Sequence, residues 1–152
     1  MKKLNKMLLA LMLVTVVFMT GCKNVTSTMS YSFTVDTGDQ IKVTIKTNNG
    51  YMITSNVPFD IKKNSDPIGD GTFIYPEYYD EYIKVAKSDS NSTIIDEGTK
   101  KNYSYFMWNY DDIRYNCVIK IKDSNTAVFI RNNISEESAK EVLNRLDFEL
   151  LK

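Results

Sequence analysis

Residues 102–122 read NYSYFMWNYDDIRYNCVIKIK. From Ile113 onward, Ile113, Tyr115, Cys117, Ile119 and Ile121 alternate with Arg114, Asn116, Val118, Lys120 and Lys122. A period of two marks a strand with one buried face, because successive side chains point to opposite sides of the pleat. The first half, Asn102 to Tyr110, is dense in rings, which favour strands. Between the halves stands Asp111-Asp112, and short carboxylates suit turns because they bond neighbouring backbone and tolerate left-handed conformations. The stretch therefore predicts a hairpin, Asn102–Tyr110 with Ile113–Lys122, and a short turn forces antiparallel pairing.

Upstream, Tyr31, Phe33 and Val35, then Ile41, Val43 and Ile45, repeat the alternation around Asp36-Thr37-Gly38-Asp39, so a second hairpin is expected. Asn48-Asn49-Gly50 signals another turn, followed by a short strand at Tyr51 to Thr54. The stretch Val57 to Gly71, with Pro58 and Pro67, reads as an irregular loop. Thr72 to Tyr75 reads as a short strand before a helix opened by Pro76, whose missing N–H costs nothing in a first turn. Glu77, Asp80 and Glu81 early, with Lys84 and Lys87 late, complement the helix dipole. Tyr75, Tyr78, Tyr79, Tyr82, Ile83 and Ala86 mark one face of that helix. Thr93 to Asp96 is a candidate strand.

Downstream, Thr126 to Arg131 reads as a strand. Ser135 is a good N-cap for a helix whose buried stripe is Ala139, Val142, Leu143 and Leu146. Phe148 and Leu150 suggest a final edge strand. The order predicts one α+β domain over residues 31–152, a single antiparallel sheet packed against two helices. Across Tyr31 to Leu150 this order resembles the PsbP/Mog1-like fold, an antiparallel sheet flanked by helices.

The first 22 residues differ from the rest. Lys2, Lys3 and Lys6 precede an apolar run from Met7 to Phe18. A spanning helix needs ~20 apolar residues, so this shorter run reads as a secretory signal peptide over residues 1–21. It ends in Met19-Thr20-Gly21-Cys22, which resembles the lipobox of bacterial lipoproteins. The resemblance implies a diacylglyceryl group on Cys22, residues 22–30 as lipidated cysteine and tether, and a place on the outer face of a cell membrane. Two acyl chains hold a protein stably where one does so only marginally. Lys outnumbers Arg, and Asn, Ile and Tyr are abundant, the bias of an AT-rich genome. With the lipobox, that bias points to a Gram-positive bacterium.

Composition bounds the functions open to such a domain. Three of the 19 basic residues lie in the leader, so 16 basic face 19 acidic side chains after cleavage, a net charge of −3. Bulk charge therefore does not mark a polyanion binder. With Cys22 lipidated, Cys117 is left alone and no internal disulfide forms. The chain has no histidine, which removes Ser-His and Cys-His nucleophile pairs and the imidazole base. Cys117 sits on the apolar face of its strand and reads as a core thiol. Gly69-Asp70-Gly71 is too short for a phosphate loop.

The carboxylates Glu77, Asp80 and Glu81, or Asp111 and Asp112, offer acid–base chemistry or oxygen ligands for Ca²⁺. The helix dipole and the turn explain them more simply. No catalytic residue, metal or cofactor is expected.

The rings of residues 102–122 offer a more specific idea. Tyr103, Tyr105, Phe106, Trp108 and Tyr110 fall on both faces of one strand. The simpler reading is a two-sided core with lysines as solvated edge charges. The alternative is an open stacking surface in which Tyr103, Tyr105 and Trp108 lie beside Lys100, Lys101, Arg114, Lys120 and Lys122. Such a surface suits single-stranded nucleic acid or sugar polymers. The expected function is a non-enzymatic binding or adhesion module at the envelope or in extracellular matrix and biofilm, taking DNA or a glycan. The alternative is an accessory subunit of a neighbouring membrane sensor or transporter, with a membrane-protein partner or a homodimer.

Overall fold

The computed structural model describes residues 27–151. The leader, the lipobox and Cys22 lie outside the described residues. The described residues begin with a hairpin, β1 (Thr28–Thr34) and β2 (Gln40–Lys46), in which Ile41, Val43 and Ile45 are fully buried. After a 3-10 turn at Asn48–Gly50 come β3 (Tyr51–Ile53), β4 (Phe59–Lys63) and β5 (Asp66–Ile74). Helix α1 (Glu77–Ser88) follows, then β6 (Ser92–Thr99), β7 (Tyr103–Tyr110), β8 (Arg114–Ile121) and β9 (Ala127–Asn132). Helix α2 (Glu136–Arg145) leads directly into β10 (Leu146–Leu151).

The fold is α+β and its strands pair antiparallel, but they form two sheets where a single sheet was expected. A seven-stranded sheet has the order β3-β4-β5-β9-β8-β7-β6, and a three-stranded sheet has the order β1-β2-β10. The reason is area. Seven strands ~4.8 Å apart make a face roughly 30 Å wide, whereas a ten-residue helix is ~15 Å long and ~10 Å across. Helix α2 cannot cover that face alone. The β1–β2 hairpin completes the cover by pairing with β10, Phe148 opposite Val43.

The main core lies between this three-stranded layer with α2 and one face of the large sheet. It joins Ile41, Val43, Phe148, Val142 and Leu143 to Phe59, Tyr103, Met107, Ile119 and Val128. The other face carries a smaller core of Ala86, Phe106, Trp108 and Val118, with Tyr79, Tyr82 and Ile83 packed against it from α1. The large sheet is therefore buried across one face and, beneath α1, over part of the other.

Both predicted helices form. Pro76 sits at the N-terminus of α1 in helical geometry, and the Ser135 hydroxyl accepts from the Ser138 N–H at 3.1 Å. Of the residues expected to share one face of α1, Tyr79, Tyr82, Ile83 and Ala86 pack on the sheet, while Tyr75 and Tyr78 are exposed.

The expected loop over residues 57–71 is mostly the β4–β5 hairpin. Phe59 and Ile61 alternate inward and are fully buried, and the turn at Asn64-Ser65 has positive φ at both residues, 52° and 74°. The two prolines do not make this stretch a loop. Pro58 precedes β4, and Pro67 lies before Gly69, where β5 begins to pair with β9, so neither breaks that ladder. The glycines serve close packing: a Cβ on Gly71 would stand 2.2 Å from the Phe59 ring.

Ile113 also departs from expectation. Asp111 and Asp112 both take positive φ, the turn runs one residue longer, and Ile113 is 66% exposed outside the strand.

Candidate functional site: a lysine cleft at one end of the large sheet

Backbone register decides which sequence-chosen residues meet. Tyr103 pairs with Ile121 and Ser104 with Lys120, so the residues that close the β6–β7 and β8–β9 turns share one end of the large sheet. Lys100, Lys101, Tyr103, Lys120 and Lys122 line one cleft there, of about 360 Å³, with Thr99, Ser104, Ser124 and Asp123. Its lining thus includes four lysines and one carboxylate, Asp123. Lys101 and Lys122 are exposed and have no ion-pair partner among the described residues. Lys120 reaches Asp80 of α1 at 3.9 Å, across solvent where such a pair is weak.

Lys100 is different in kind. Its Nζ donates to the Leu143 carbonyl at 2.9 Å and to Asn144 Oδ1 at 3.4 Å, which satisfies the C-terminal end of α2. Burial pushes its pKa below the ordinary lysine value. Tyr103, 2% exposed, donates its hydroxyl to the Leu146 carbonyl at 3.1 Å. These two residues form the structural floor of the cleft, and Lys101, Lys120 and Lys122 are its reachable cations.

The remaining sequence-chosen residues lie elsewhere. Tyr105 donates to Asp96 at 3.0 Å. Trp108 is 6% exposed beneath α1, so the open aromatic face does not exist: Trp108 and Tyr103 are core residues on opposite faces of the sheet. Arg114 is at the far end of the hairpin, paired with Asp111 at 3.2 Å and stacked on Tyr110. The hydroxyls of Thr99, Ser104 and Ser124 were missed. Their signal was register, since each lies within a few residues of a chosen lysine across a turn or strand pair.

The cleft borders a clasp between the two sheets. Asp39, in the β1–β2 turn, accepts at Oδ2 from the Ser124 hydroxyl at 2.7 Å, the Asn125 N–H at 2.8 Å and the Thr126 hydroxyl at 2.9 Å. These bonds, that of Ser124 foremost, hold its carboxyl below the ordinary 3.8 against the opposing effect of burial. A depressed folded-state pKa gives stability that is present above the unfolded value and lost as pH falls through the folded one. Asp39→Asn is expected to be less stable than wild type by about 1–2 kcal/mol at neutral pH. It is also expected to lose less on acidification below about pH 4. Urea melts at neutral and acid pH check this, and a parallel loss in both proteins would contradict it.

A further concave surface, about 810 Å³, lies along α2 and is lined by Lys46, Asn48, Lys140, Arg145 and the acids Glu136, Glu137 and Glu141. Its charges largely answer one another. Arg145 donates to Glu141 Oε1 from Nε at 3.2 Å and Nη2 at 2.8 Å and stacks on Tyr51, whose hydroxyl donates to Glu141 Oε2 at 2.5 Å. Tyr51, then Arg145, holds the Glu141 carboxyl below its usual range. This is a tie between α2 and the start of β3, with few groups left to act on a ligand.

Glu77, Asp80, Glu81, Asp111 and Asp112 are all exposed, the first three on α1 and the others in the β7–β8 turn. No cluster of acid, Cys or His groups among the described residues is arranged to hold a metal ion. Cys117 is buried, and burial drives its thiol pKa far above the ordinary value. No helix among the described residues is long and apolar enough to cross a membrane. Comparison with protein-family models, curated proteins and solved structures gave no match.

Proposed function

We propose that this chain is a lipid-anchored lipoprotein of the outer cell surface whose domain binds an anionic extracellular polymer, DNA or an acidic glycan, without catalysing a reaction. The observation that carries the reading is the cleft of four lysines with one lining carboxylate on a domain whose overall charge is negative. Local concentration of cations against the bulk sign is what binding a polyanion requires, because each contact releases condensed counterions. The Thr99 and Ser104 hydroxyls, bonded to each other at 3.0 Å, keep one O–H between them for a phosphate, sulfate or carboxylate oxygen, while that of Ser124 is given to Asp39. The PsbP/Mog1-like resemblance belongs to the same proposal, supported by the order of strands and helices.

The test is a titration of residues 23–152 with a short single-stranded oligonucleotide and with a uronate-rich oligosaccharide at several salt concentrations. Three reachable lysines predict a slope of log K against log salt of about −2 for the oligonucleotide. Stronger binding to one polymer identifies the class. A slope near zero, or no binding to either polymer at low salt, would overturn the proposal.

A further inference from the structure

At the other end of β7 and β8, a groove of about 320 Å³ runs between α1 and the large sheet. We infer that this groove is a second binding site, built for a neutral pyranose ring.

Its floor comes from one row of the sheet. Trp108 pairs with Asn116, and Asn116 with Arg131, so a ring, an amide and a guanidinium stand side by side on three strands. Neighbouring strands are ~4.8 Å apart, so the row is roughly 10 Å long, the scale of one or two sugar rings.

The aromatic part is rigid. Tyr82 of α1 stacks on Phe129 with centroids 4.8 Å apart and lies 6.0 Å from Trp108. Tyr110, under the Arg114 guanidinium at 4.6 Å, forms the rim. Trp108, 6% exposed, backs the groove from within, and the half-exposed rings of Tyr82, Tyr110 and Phe129 present apolar edges beside polar tips, which fits a ligand with one apolar face and a polar periphery.

Hydrogen-bonding capacity is unspent. The Asn116 amide makes no side-chain hydrogen bond among the described residues, and it offers two donors and an acceptor. Arg131 bonds Asp70 through Nε at 3.1 Å and Nη2 at 2.9 Å, which leaves Nη1 for a ligand.

Charge sets the class. Arg131 is matched by Asp70 and Arg114 by Asp111, and Asp89, whose carboxylate accepts from the Asn91 N–H at 2.9 Å, is among the lining residues. A phosphate or uronate would meet that carboxylate with no spare cation. A neutral sugar satisfies the rings, the amide and the guanidinium without that cost. The site is therefore distinct in chemistry from the lysine cleft and does not depend on it.

Trp108 is the chain's single tryptophan and backs the groove in contact distance of Tyr82, so its emission reports a change in the groove's ring packing when a ligand enters. The full mature chain is titrated with three neutral tetrasaccharides, built of glucose, of galactose and of N-acetylglucosamine. The expected result is a saturable change in Trp108 emission with at least one of them, unchanged between low and high salt. Asn116→Ala and, separately, Tyr110→Ser should each weaken it about tenfold. Lys101→Glu with Lys122→Glu should leave it intact. The inference fails if none of the three sugars changes the emission at millimolar concentration. It also fails if salt abolishes the change, or if both groove variants, shown folded by circular dichroism, bind as the wild type does.

Discussion

Phe148→Ala should destabilise the domain by about 3–5 kcal/mol, the range for removing a fully buried ring from a close-packed core. Phe148 has no exposed surface and meets Tyr103 edge-on, centroids 5.5 Å apart at 88°. It lies on β10, paired with Val43 of β2, while Tyr103 belongs to the large sheet. The substitution therefore opens a void at the seam between the two sheets and also loosens the bond from the Tyr103 hydroxyl to Leu146. Tyr103→Phe is the control: it keeps the ring and leaves the Leu146 carbonyl short of a donor, for a loss of about 1–2 kcal/mol. Urea denaturation reads both, with a Phe148→Ala melting temperature lower by more than ~10 °C. A loss below about 1 kcal/mol for Phe148→Ala would mean that the three-stranded layer does not close the core as described.

Lys101→Glu together with Lys122→Glu should weaken polyanion binding about 100-fold at low salt. Each side chain is exposed and free of an ion-pair partner among the described residues, so each is available for one phosphate or carboxylate contact. Losing two such contacts and adding two repulsions removes roughly 2–3 kcal/mol, which is a factor of 30 to more than 100 in affinity. The salt slope should flatten with it. Stability should move by less than about 0.5 kcal/mol, because neither lysine is packed. Lys100→Ala is predicted to behave oppositely, with a clear loss of stability from the uncovered Leu143 carbonyl. Wild-type affinity in the double variant would remove the cleft from the account.

Residues 102–122 made the central hairpin legible because their alternation is strict and their turn chemistry explicit. The helices were legible from Pro76, Ser135 and the three- and four-residue spacing. The β4–β5 hairpin was hidden because Pro58, Pro67, Gly69 and Gly71 look like loop residues one at a time. Their roles emerge only once β9 and the Phe59 ring lie against them. The second sheet was hidden for a different reason: alternation tells which face of a strand is buried, not against which neighbour. The same limit governed the site. Five of the chosen residues meet because of register. Trp108 does not join them because α1, distant in sequence from β7, lies over it. The aromatic groove escaped notice because Asn116 and Arg131 come together only across the β8–β9 pair.

All of the proposed biology depends on the domain standing outside the cell, held there through Cys22. Intact-mass and peptide analysis of the protein from membranes of its native host tests this most directly. The account predicts a chain beginning at Cys22 whose thiol bears a diacylglyceryl group. An unmodified Cys22 thiol, with the protein recovered from the medium or with its leader still attached, would contradict it.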